Sequence, residues 1–62
     1  MTVNVNLNKD DAALLEMLLA KEEGDTRVEI HHCRDHEYKE YLKRRETQIG
    51  QLLGRVKSAL AG

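Results

Sequence analysis

The chain contains no proline, no phenylalanine and no tryptophan, and its only aromatic residues are Tyr38 and Tyr41. It also has a single cysteine, Cys33. One cysteine forms no intrachain disulfide and supplies no cysteine-rich metal framework, so a reduced, cytoplasmic setting is expected. The longest apolar runs, residues 12–15 and 17–20, fall far short of the roughly 20 residues that cross a bilayer, and no signal-peptide pattern opens the sequence. Neither membrane insertion nor secretion is expected. A net charge of −1 and the scarcity of aromatic rings leave neither a basic field nor stacking platforms, so no nucleic-acid partner is expected. Sixty-two residues make one domain at most. A domain this small buries only about 60% of its unfolded surface, which makes its own core marginal and self-association the natural remedy.

What the chain does have is Ala, Leu, Glu, Lys, Arg and Gln over most of its length, residues that lose little rotamer freedom in a helix. Residues 2–7 are the exception. There Val3, Val5 and Leu7 alternate with Thr2, Asn4 and Asn6, the period of a half-buried strand or of an extended tail. Asn8 is a good acceptor for the first free amides of a helix, and Asp10 and Asp11 place negative charge at its positive end. Leu15, Leu19, Thr26, Ile30 and Cys33 then follow helical spacing, flanked by Leu14, Leu18 and Val28. Around Gly24 two readings remain open. In one, Gly24 ends the helix and Thr26, Val28, Ile30 and His32 alternate as a strand. In the other, the helix runs on to about Cys33 and tolerates glycine at a cost of about 1 kcal/mol relative to alanine.

Asp35 is a plausible cap for a second helix, with Glu37 in its first turn. Tyr38, Leu42, Arg45, Ile49, Leu52, Val56 and Ala59 follow at alternating steps of four and three, a coiled-coil-like seam that Leu53 and Leu60 widen. Residues 1–33 carry three Lys or Arg against seven Asp or Glu, a balance of −4, whereas residues 34–62 carry seven against four, a balance of +3. A hairpin therefore lays an acidic helix beside a basic one, a modest and salt-sensitive attraction.

The run Arg27-Val28-Glu29-Ile30-His31-His32, with Glu37-Tyr38-Lys39-Glu40, Leu42-Lys43, Arg45-Glu46, Ile49, Leu52-Leu53 and Val56 after it, resembles a group of small uncharacterised bacterial proteins. The resemblance spans residues 7–60 without a gap. It implies a helical hairpin with an acidic first helix, a short polar turn after the paired histidines and a second helix rich in Lys, Arg, Glu and Leu, and so favours the continuous helix over the second strand. It implies no activity. The chain departs from the pattern at Glu22, Glu23 and Thr26, where those proteins tend to be aromatic or aliphatic, and at Cys33, where they tend to have Thr.

Several constellations carry potential chemistry. Glu29, His32, Cys33 and His36 are zinc-donor types on neighbouring turns. A single helix wraps four ligands around a tetrahedral ion with difficulty, and a cap at Asp35 separates Cys33 from His36; the plainer reading is a polar turn with His31 and His32 at a helix carbonyl end. Cys33 beside a histidine resembles a nucleophile with its base, but no glycine-rich oxyanion loop accompanies it. Gly50, Gly54 and Ser58 form a small-residue stripe suited to close helix approach or simply tolerated on an exposed face. Thr2, Asn4 and Asn6 ahead of a helix resemble ribbon-helix-helix DNA-binding dimers, against which stand His31, Arg34 and Asp35 at positions that fold makes apolar and an acidic first half that repels phosphate. Lys43, Arg44 and Arg45, flanked by Glu40 and Glu46, read as a solvated helix face.

The expectation is an all-α, antiparallel two-helix hairpin: residues 1–7 extended, 8–33 helix one and 35–61 helix two, dimerising into a four-helix arrangement through Leu14, Leu15, Leu18, Leu19, Ile49, Leu52, Leu53 and Val56. The expected function is structural or interaction-based, with no catalysis and no cofactor. A ribbon-helix-helix repressor is the alternative and a metal-binding protein the third reading.

Overall fold

A computed structural model of the chain describes all 62 residues and contains two helices, α1 (Lys9–His32) and α2 (His36–Ala61), and no strand. The Asn8 side chain accepts a hydrogen bond from the Asp11 amide at 2.8 Å, and Asp10 and Asp11 occupy the first turn of α1. This satisfies one of the free amides at the helix start and sets two carboxylates against its positive end. Gly24 lies inside the helix, and α1 continues through residues 26–32, which excludes the strand reading there. Packing explains the continuity. Thr26 and Ile30 turn inward at helical spacing, Thr26 to only 1% exposure, and alternation as a strand would break that register.

Residues 33–35 connect the helices. Cys33 and Asp35 are both extended, at φ −80°, ψ 127° and φ −81°, ψ 117°. The Asp35 carboxylate accepts from the amides of Glu37 at 3.0 Å and Tyr38 at 3.4 Å, restarting the helix, and the Cys33 thiol donates to the Asp35 carbonyl at 3.3 Å. So short a connection folds α2 back antiparallel on α1. Arg27 reaches Glu46 at 3.3 Å and Arg45 reaches Glu22 at 3.5 Å across the hairpin.

The core is small: Leu42, Ile49, Leu53 and Val56 from α2 and Thr26 from α1 are the only buried residues. Leu15, Leu19 and Ile30 complete it, half-buried. The expected seam is thus rotated. Two stripes at steps of four and three share Leu42, Ile49 and Val56 on α2. The hairpin uses the one that includes Glu46, Leu53 and Leu60, while Tyr38, Arg45, Leu52 and Ala59 on the other are exposed. Leu52, expected mid-seam, is 40% exposed. A Cβ at Gly50 would sit 2.9 Å from the Glu23 carboxylate of α1, whereas a Cβ at Gly54 would meet nothing. Only the first member of the small-residue stripe therefore faces α1.

Residues 2–7 form no strand and make no backbone hydrogen bond, and Val3, Val5 and Leu7 stand exposed. The molecule measures 40 × 26 × 14 Å, a single layer of helix. Its radius of gyration is 13.6 Å, against about 10.6 Å for a compact domain of this length.

Candidate functional site

The zinc-donor residues are placed by the turn and are not gathered by it. Glu29, His32 and His36 are exposed, Cys33 is half-buried, and no three His, Cys, Asp or Glu side chains converge on a point that would hold an ion. The reason is local: His32 ends α1 and His36 begins α2, with extended residues between them, so the two helices do not bring one face of side chains together. His31 and His32 sit in the last turn of α1, against its carbonyl end. Cys33 has the Asp35 carbonyl as its partner.

Two open grooves flank the hairpin. One, of about 400 Å³, runs beside the free ends of the helices between Val5, Leu7 and Ala12 on one side and Val56, Ala59 and Leu60 on the other. A second, of about 190 Å³, lies near the turn among Glu22, Glu29, Tyr38, Tyr41, Leu42 and Arg45. In it the two tyrosine rings stack at 5.8 Å between centroids. The Tyr41 hydroxyl first, and the Glu22 carboxylate after it, raise the Arg45 pKa above its ordinary value. Sequence reasoning did not single out this cluster. Its signal is the spacing of Tyr38, Tyr41 and Arg45, three and four apart on one helix flank.

The ion pairs across the hairpin mark its two broad faces. Glu22–Arg45 lies on one. Arg27–Glu46 and the contact of Glu23 with Gly50 lie on the other. Helical spacing assigns the remaining residues. On the Glu22–Arg45 face, Leu18 and Leu14 lie one and two turns before Glu22, and Leu52 lies two turns after Arg45; Leu14 and Leu18 are 51% and 52% exposed. On the opposite face stand Glu16, Ala20, Lys39, Lys43 and Lys57, and no large apolar side chain is exposed there. Met17 and Val28 lie on the outer edge of α1, away from α2. The hairpin thus has one leucine-bearing face and one charged face. Of the residues expected at an interface, Ile49, Leu53 and Val56 are buried inside the hairpin, Leu15 and Leu19 are half-buried against α2, and Leu14, Leu18 and Leu52 are left open.

No helix is long and apolar enough to cross a membrane. No family model, curated protein or solved structure matches the chain.

Proposed function

We propose that this chain is a small interaction module without catalytic chemistry, which acts in the reducing cytoplasm as a homodimer built from two hairpins in a four-helix arrangement and belongs with the bacterial helical-hairpin proteins it resembles. The observation that carries the reading is the surface left open. The chain exposes 5309 Å², whereas a globular monomer of its mass exposes about 4,100 Å²; the excess is shared between the extended residues 1–7 and the open face of the hairpin. Folded domains are built of at least two packed layers, and this hairpin supplies one. Leu14, Leu18 and Leu52 on a single face are the side chains a second layer would cover.

Light scattering at micromolar concentration tests the proposal. A mass of twice 7.1 kDa or more is expected, and a stable, folded monomer overturns it. The DNA-binding alternative needs residues 2–7 to pair as a ribbon. Duplex DNA is expected not to shift at micromolar protein in 100 mM salt, and a band that weakens on Asn4→Ala and Asn6→Ala would favour that alternative instead.

A further inference from the structure

Resting on that reading of self-association, we infer that the second copy covers the Leu18–Leu52 face, with the turns of both copies at the same end and α1 of each lying antiparallel over α2 of the other. Three observations carry this arrangement. The first is area. The surface in excess of a globular monomer's is about 1,200 Å² per chain, shared between the extended residues 1–7 and the open face of the hairpin, and a standard interface removes about 800 Å² from each partner. The second is the contrast between faces, since the exposed leucines of the two helices, Leu14, Leu18 and Leu52, all lie on the Glu22–Arg45 face and the opposite one carries lysines and glutamates.

The third is charge and register together. Along the leucine-bearing face, the half near the free ends carries Leu14, Leu18 and Leu52, and the half near the turn carries Glu22, Asp25 and Glu29 on α1 and Tyr38, Tyr41 and Arg45 on α2. A two-fold axis along the hairpin keeps each level opposite itself and exchanges the helices. Leucines of α1 then meet Leu52 of the other copy, and the acidic stretch of α1 meets Arg45 of the other copy's basic α2. An axis across the hairpin does the reverse. It lays acidic α1 on acidic α1 and turns Leu14 and Leu18 toward Asp25 and Glu29, which joins like charges and buries carboxylates against leucine.

Two measurements test the arrangement. Leu18→Glu is expected to give a 7.1 kDa monomer that keeps its helical circular dichroism, because Leu18 is half exposed within one chain, whereas Ala20→Glu on the opposite face remains dimeric. The reverse pattern overturns the choice of face. Orientation is read by pulsed electron spin resonance on a nitroxide at the turn, with Arg34→Cys in a Cys33→Ser background. Turns at the same end place the labels within about 25 Å, because packed helices lie about 8–10 Å apart. Turns at opposite ends separate the labels by more than about 35 Å, the length of a 24-residue helix. A long distance in a dimeric protein overturns this arrangement alone, while an unmodified chain that is itself monomeric overturns the self-association reading with it.

Discussion

Helix α2 buries four apolar side chains in the core, whereas helix α1, nearly as long, buries only a threonine and leaves Leu15, Leu19 and Ile30 half-buried. The difference lies in how each spreads its apolar residues. On α2 they concentrate on adjoining stripes, with Leu42, Ile49, Leu53 and Val56 at the centre of the contact. On α1 they surround the helix: Leu15 and Leu19 turn toward α2, Leu14 and Leu18 toward the open face, and Met17 and Val28 outward. One neighbouring helix covers only about a third of another's circumference, so α2 is served by a single partner and α1 is not.

Four experiments break or sharpen this comparison. The adjacent leucines of α2 should differ most. Leu53→Ala removes a side chain that is 6% exposed and should cost about 2–4 kcal/mol in a denaturant titration. Leu52→Ala, measured at concentrations where chains are dilute, should cost less than about 1 kcal/mol because its side chain is already partly in water. A larger loss at Leu52 than at Leu53 would show that the hairpin uses the other stripe. Next are the caps, Asn8→Ala for α1 and Asp35→Ala for α2. Each should cost about 1 kcal/mol, and hydrogen exchange should show which helix frays. Smaller again is the pair of glycines in α2. Gly54→Ala should stabilise by about 0.5–1 kcal/mol, since its Cβ meets only open space. Gly50→Ala should gain less, because the Glu23 carboxylate must swing aside. The smallest effect is that of excess chelator, which should leave the thermal midpoint unchanged; loss of helix restored by zinc would show that the histidines and Cys33 gather after all.

The local signals were the legible part of this sequence. Asn8 and Asp35 announce two helix starts by their side chains alone, and the steps of four and three along α2 announce a buried stripe. Which stripe was not legible. Leu42, Ile49 and Val56 belong to both, so the choice between Leu52 and Leu53 depends on the flank from which α1 approaches, and that is set by the extended residues of the connection. Gly24 was similarly ambiguous, because a glycine weakens a helix by about 1 kcal/mol while the inward packing of Thr26 and Ile30 is supplied by α2, on the far side of the turn. The sequence neighbourhood of Glu29, His32, Cys33 and His36 suggested a cluster, but proximity along a chain counts for little where one helix stops and another starts.

A slab 14 Å thick has almost no interior, and this governs how it melts. The heat absorbed on unfolding and the accompanying change in heat capacity both scale with the apolar surface newly wetted. Where five residues are hidden, a lone hairpin has little to wet, and its thermal transition is expected to be shallow, spread over tens of degrees. Anything that settles on the leucine-bearing face steepens that transition as well as raising its midpoint, so the width of a calorimetric peak reports on whether the slab is covered.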